Sequence, residues 1–413
     1  MSYSRFFFSC KRKGFVSIMV ASIMAFTYFF TSIGMVYSKE NDLEAIDVEV
    51  SAADLGISSK SCVLMEATTG TILYDKAKDE RVSPASITKI MTLLLIFEEL
   101  EKGNITMDEE VITSAYAKSM GGSQVFLEEG EKQNVETLIK CIVVASGNDA
   151  CVAMAEHIAG SEGEFVARMN EKAKELGMNN TNFEDCCGLS DSDNHYTSAY
   201  DVALMSRELS VKYPEIHNYS SIWMENITHK TDKGESEFGL SNTNKLLKQY
   251  PYATGLKTGS TSKAKYCVSA TAKKDNIELI AVVMAAPNYK VRFSEAETLL
   301  KYGYGVCKLY SDENRSFKEY IKIDGGVSEK VKVMAKETFN YVSTTEEDLG
   351  SVEKTVVYNK KVVAPIKKGD TLGKIEYFIG NKSIGWVDVV ACKSVEKADF
   401  TNTLKKIFTK YIL

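Results

Sequence analysis

The hydrophobic period changes twice along this chain, and the order of the changes limits the fold more than any other feature. The stretch "SCVLMEATTGTILYDK", Ser61 to Lys76, reads as a hairpin whose apolar strands meet at Thr68-Thr69-Gly70. A helical block follows, over Ser86 to about Leu100, Val135 to Val144, Asp149 to Ile158, Glu162 to Leu176 and Ala199 to Val211. In its first helix Ile90, Leu93, Leu94 and Phe97 fall on one stripe. The period then returns to two: "KYCVSATA" and "IELIAVVMAA" read as strands separated by Lys274-Asp275-Asn276, and a helix from about Arg292 to Val306 closes the segment. Strand pair, helices, strands, helix is the order of an α+β domain in which one antiparallel sheet, built from both ends of the segment, packs against helices. From about Ser311 the chain alternates as short strands ("KVKVMAK", "KTVVYNKKVVAPI", "GKIEYFIG", "IGWVDVVAC") with glycine-containing turns, which predicts a small all-β domain.

The two ends carry different signals. Lys11, Arg12 and Lys13 precede an uncharged run from Phe15 to Tyr37, and Val36 and Ser38 are the small residues of a cleavage site. That pattern predicts an export signal over 1–38, cleaved after Ser38. The run is also about long enough to span a bilayer, so an uncleaved anchor is the competing reading. Residues 39–58 read as a linker, 59–310 as the α+β domain and 311–392 as the β domain. The last segment, 393–413, places Phe400, Leu404, Ile407, Phe408 and Tyr411 on one helical face, with Lys405, Lys406 and Lys410 elsewhere. Such a helix lies in a membrane surface or docks on its own protein.

A net charge of −6 gives no basis for a nucleic-acid partner. Eight of the nine cysteines follow the export signal, without a C-x-x-C pair, and the four histidines lack a metal-ligand spacing. Cys186 and Cys187 are adjacent; buried free thiols are the expectation, with a vicinal disulfide as the alternative.

The chemistry starts at "PASITKIMT", Pro84 to Thr92. On a helix, Ser86 and Lys89 project from the same side, so an uncharged Lys89 could take the proton of Ser86. A solvated lysine, with a pKa near 10.4, is a poor base at neutral pH, so this reading calls for burial and a second cation nearby. S-x-x-K alone is weak, because it occurs five times, at Ser86, Ser260, Ser262, Ser351 and Ser394. The second cation is available at Lys257-Thr258-Gly259, the only K-T-G in the chain, just ahead of the two predicted strands; a surface turn is the plain alternative there. The third element is Ser146-Gly147-Asn148, between two helical patterns. A second Ser-x-Asn at Ser192-Asp193-Asn194 lies in the acidic stretch "SDSDNHY", which reads as a solvated turn.

S-x-x-K, S-x-N and K-T-G in this order, with gaps of 60 and 111 residues, are far more specific together than singly. The sequence resembles the low-molecular-mass D-alanyl-D-alanine carboxypeptidases, from about Ser61 through Cys392. "PASITKIMT", "ASGNDACVAMAEHIAG", "GLKTGSTSKAKYCVSATA" and "KKGDTLGKIE" carry the resemblance. It implies a penicillin-binding/β-lactamase-like transpeptidase domain followed by the β domain, outside the cytoplasm, acting on peptidoglycan stem peptides that end in D-Ala-D-Ala and acylated by β-lactams. It implies Ser86 as nucleophile and Lys89 as its base. Ser146 would relay a proton to the leaving amine, and Asn148 would contact the substrate amide. Lys257, Thr258 and Gly259 would hold the terminal carboxylate, with Arg292 as a further contact. Backbone N–H groups of Ser86 and Ser260 would form the oxyanion hole. No metal or organic cofactor is implied. Ser260 departs from the family pattern, in which histidine often follows K-T-G. Two rival readings are a β-lactamase, for which no E-x-x-L-N glutamate is found between Asn148 and Lys257, and a catalytically silent peptidoglycan-binding protein.

Overall fold

The structure, a computed structural model, describes residues 54–411 apart from Lys233. The expected export signal and most of the expected linker lie outside the described residues. Strands β1 (Ser61–Glu66) and β2 (Ile72–Lys76) form the expected hairpin. Helices α1 (Lys89–Glu101), α2 (Val135–Val143), α3 (Asn148–Ala159), α4 (Glu162–Glu175) and α5 (Ala199–Lys212) form the helical block. Asn134, Ser161 and Ser198 cap α2, α4 and α5 by accepting a backbone N–H three residues on, which satisfies an otherwise unpaired donor.

Among the features the sequence pattern missed, two bear on the site. The hairpin β3 (Met224–Thr231) and β4 (Gly234–Ser241) was not expected, because its polar alternation lacks a continuous apolar side. The K-T-G lies inside a strand, β5 (Ala253–Thr261), rather than ahead of the strands. Its turn-rich composition hides a ladder set by tertiary packing. Strands β6 (Lys265–Lys274) and β7 (Ile277–Ala286) follow as expected, then helix α6 (Tyr289–Val306).

The antiparallel sheet runs β2-β1-β7-β6-β5, so strands from both ends of the domain meet at the β1–β7 pair, with Val63 opposite Val282. Alternation along these strands sorts two cores. Val63, Met65, Ile280, Val282 and Met284 face the helical block. Leu64, Leu279, Ala281 and Val283 face Phe293, Ala296, Leu299 and Leu300 of α6. One-stripe packing does not hold for α1: every residue from Lys89 through Glu98 is buried, as in a helix that runs through the core. Its charged first residue, Lys89, is buried with the rest.

Beyond α6, strand β8 (Lys308–Asp312) pairs with β11 (Phe339–Ser343). A second five-stranded antiparallel sheet holds β9 (Ser316–Lys322), β10 (Lys330–Ala335), β12 (Val352–Tyr358), β13 (Thr371–Ile379) and β14 (Lys382–Ala391), in the order β9-β10-β14-β13-β12. It closes over its own core of Val331, Val333, Ile375, Tyr377, Val387 and Val389. The final helix, α7 (Phe400–Tyr411), leaves Phe400, Leu404 and Phe408 exposed. Among the described residues no helix is long and apolar enough to cross a membrane. All eight cysteines among the described residues are free thiols, and Cys186 and Cys187 are buried without a vicinal bond.

Candidate active site

Ser86 lies in a 3-10 turn, Ala85–Thr88, and α1 begins only at Lys89. The predicted single helix from Ser86 is therefore a tighter turn feeding an α-helix. The turn is set by Ala85, held at φ +46°. A non-glycine residue in that region costs about 1–3 kcal/mol and persists where the surroundings over-determine it. The surroundings are two glycines. A Cβ on Gly188 would fall 1.8 Å from the Ala85 carbonyl oxygen, and one on Gly259 would fall 2.9 Å from the Pro84 oxygen and 3.0 Å from the Ser86 nitrogen. The K-T-G glycine thus lets β5 lie directly against the turn that carries Ser86.

The Lys89 side chain is fully buried. Its Nζ stands 3.2 Å from Ser86 Oγ and donates to Asn148 Oδ1 at 2.6 Å and to the Cys187 carbonyl at 2.7 Å. Those two oxygens are pure acceptors, so they occupy two N–H groups and leave the remaining position of the nitrogen facing the Ser86 hydroxyl. Asn148 is held in that orientation: its Nδ2 donates to the Gly121 carbonyl at 2.7 Å, and its N–H to the Ser123 carbonyl at 2.7 Å. Asp149 takes the N–H groups of Val125 and Leu127, which fixes the same wall.

Ser146, at φ +60°, is the second strained residue, and its Oγ accepts from Lys257 Nζ at 2.9 Å. Lys257 is 1 % exposed, also donates to the Thr258 carbonyl at 3.1 Å, and has no carboxylate among these partners. Burial first, then the positive charges of Lys89 and Arg292, hold its amine well below the ordinary lysine range. Thr258 Oγ1 is fixed by Thr243 Oγ1 at 2.6 Å, while Ser260 is exposed at the strand end. Arg292 comes from α6 to the back of β5, where Nη1 donates to the Gly259 and Cys267 carbonyls at 3.2 and 3.3 Å, and its guanidinium stacks over Phe293 at 4.7 Å. Ser192 lies apart from these groups in the bonds it makes: its Oγ accepts the Asn194 N–H, as in a local turn.

Three chain-distant segments therefore deliver a hydroxyl, two buried amines, a second hydroxyl and an amide to one place. A family model described as D-alanyl-D-alanine carboxypeptidase matches residues 48–288. The chain belongs to the D-alanyl-D-alanine carboxypeptidase family. A second model, the C-terminal domain of penicillin-binding protein 5, matches residues 305–397. The chain is 42% identical over 357 residues to D-alanyl-D-alanine carboxypeptidase DacF of Bacillus subtilis, across 86% of this chain and 90% of that one. It is 31% identical to DacC of Escherichia coli, across 83% and 86%. Among solved structures, penicillin binding protein 5 from Haemophilus influenzae superposes with a TM-score of 0.68 at 30% identity, covering 83% of this chain and 98% of that one. The fold is that of the penicillin-binding proteins, and the chain is a serine-type D-Ala-D-Ala carboxypeptidase, for which acylation by β-lactams is consistent.

Sequence reasoning missed the Cys187 carbonyl, Thr243 and the Gly121 carbonyl. Backbone acceptors carry no residue signature, and Thr243 has no motif of its own.

Proposed function

We propose that Ser86 attacks the penultimate carbonyl of a stem peptide ending in D-Ala-D-Ala while Lys89 takes the hydroxyl proton. The C–N bond to the last D-alanine breaks, and the acyl group remains on Ser86. The proton taken up by Lys89 is relayed through the Ser146 hydroxyl to the leaving amine, so that Lys89 and Ser146 both end as they began. Water then cleaves the ester and restores the hydroxyl. Splitting one hard step into two lowers the barrier to each. The observation that carries this assignment is the Lys89 nitrogen, with two positions filled by obligate acceptors and the third 3.2 Å from Ser86 Oγ.

Lys257 and Thr258 receive the terminal carboxylate. A buried amine with no anionic partner among its bonds is matched to one. Backbone N–H groups of Ser86 and Ser260 stabilise the oxyanion that forms only in the transition state. Arg292 adds positive potential and holds β5 in place through the Gly259 carbonyl. Asn148 contacts the substrate amide as well as orienting Lys89. The enzyme acts outside the cytoplasm, exported by residues 1–38 and held to a membrane surface by 393–413, whose exposed Phe400, Leu404 and Phe408 supply the apolar face. No nucleic acid takes part.

The test is release of free D-alanine from diacetyl-lysyl-D-Ala-D-Ala. Many turnovers by the unaltered chain and none by Ser86→Ala are expected. Equal release by the two proteins would remove Ser86 from the reaction.

A further inference from the structure

The loop from Glu184 to His195, whose second half reads in the sequence as a solvated turn, is built around the half-buried Asp185 and the buried His195. The Asp185 carboxylate gathers three backbone donors: Oδ1 accepts the N–H of Cys187 at 2.8 Å and of Gly188, and Oδ2 accepts that of Ser190 at 2.6 Å. These bonds curl the chain so that two successive carbonyls face α1. The Cys186 oxygen accepts from Thr92 Oγ1 at 2.5 Å and from Cys151 Sγ at 3.1 Å, and the Cys187 oxygen accepts from Lys89 Nζ at 2.7 Å. Gly188, at φ +79°, then presses on the Ala85 carbonyl.

The other end of the loop is fixed by His195, 1 % exposed. Its Nδ1 accepts the Glu184 N–H at 3.0 Å, so the ring proton of the neutral imidazole sits on Nε2. That proton is donated to Thr88 Oγ1 at 2.9 Å. Thr88 lies in the turn between Ser86 and Lys89. Burial holds His195 below the ordinary histidine range, in keeping with this neutral tautomer.

We propose that Asp185 and His195 are positioning residues, which make the 184–195 loop a bracket holding Lys89 Nζ against Ser86 Oγ. One arm grips the lysine nitrogen through the Cys187 carbonyl, and the other grips the turn through Thr88. Neither residue bonds Ser86 or Lys89 itself. Productive geometry has a tolerance of about 0.5 Å, so loosening either arm slows acylation more than it weakens binding. The proposal rests on the assignment of Ser86 and Lys89 made above.

The experiment measures, on the full chain, the acylation rate constant with a fluorescent penicillin, kcat and KM for diacetyl-lysyl-D-Ala-D-Ala, and the thermal midpoint. Asparagine at 195 keeps an acceptor for the Glu184 N–H but cannot reach Thr88, whereas glutamine places an amide nitrogen near the Nε2 position. His195→Asn is expected to acylate about 10- to 100-fold more slowly, with KM within about twofold, and His195→Gln to restore most of the rate. Thr88→Val, which removes the acceptor on the other side of the bond, should match the loss of His195→Asn. Asp185→Asn should slow acylation about tenfold, the share of one charge-assisted interaction. Wild-type acylation in both His195→Asn and Thr88→Val, or a change confined to KM, would overturn the bracket. A His195→Gln variant as slow as His195→Asn would do so too. If the unaltered chain forms no penicillin adduct, the assignment of Ser86 itself fails, and the bracket falls with it.

Discussion

Gly259→Ala puts one methyl group where the K-T-G strand meets the turn that carries Ser86. The added Cβ would stand 2.9 Å from the Pro84 oxygen, 3.0 Å from the Ile87 nitrogen and 3.0 Å from the Ser86 nitrogen, whereas ordinary contact begins at 3.4 Å. All three neighbours are backbone, so no side-chain rotation relieves the overlap. The strand and the turn must separate by about 0.5 Å, the limit within which catalytic groups work. A 1 Å misplacement costs about 100-fold in rate, so half of that corresponds to about tenfold. Overpacking should also lower stability by about 1–3 kcal/mol. The assay is the acylation rate with a fluorescent penicillin beside a thermal melt. A fall of about tenfold or more with the protein still folded is expected. Acylation within twofold of the unaltered chain would show that β5 does not need to lie against Ser86, and the reasoning on the glycine would be wrong.

Three further outcomes follow from the same geometry. Lys89→Ala should keep the fold yet lose acylation by about 100-fold or more, in the range for loss of a general base, and normal rates in that variant would remove Lys89 from the proton transfer. Lys257 has its pKa lowered, so above that value its amine is neutral in the free enzyme. A bound carboxylate raises the pKa again, and binding of a carboxylate-terminated peptide should therefore take up protons. Calorimetry in buffers of different ionisation enthalpy reads this directly, and proton release or no exchange would contradict it. Deleting residues 393–413 should release the chain from membranes; unchanged association would point to the N-terminal apolar run as the anchor.

Much of the site was legible because its chemistry depends on side chains at short, ordered spacings. Ser86 and Lys89 are three apart, and the only K-T-G follows the S-x-N motif. Periodicity placed the β1–β2 hairpin, the helical block and strands β6 and β7. What stayed hidden depends on tertiary packing. β5 looks like a turn because glycine is needed where it meets Pro84 and Ser86. The β3–β4 hairpin has exposed residues on much of both strands, so its apolar side is too sparse to read. Helix α1 is buried all round, which blurs any stripe. The acidic stretch Ser190 to Tyr196 reads as a solvated turn, yet it buries His195, and its first residue bonds Asp185.

The most direct measurement is the mass of the chain after brief treatment with benzylpenicillin, followed by mapping of the labelled peptide. One penicilloyl group per molecule, carried on the peptide that contains Ser86 and absent from Ser86→Ala, is the expected result. An adduct at another serine, or none while the protein is folded, would show that Ser86 and the two buried amines do not form the reactive centre.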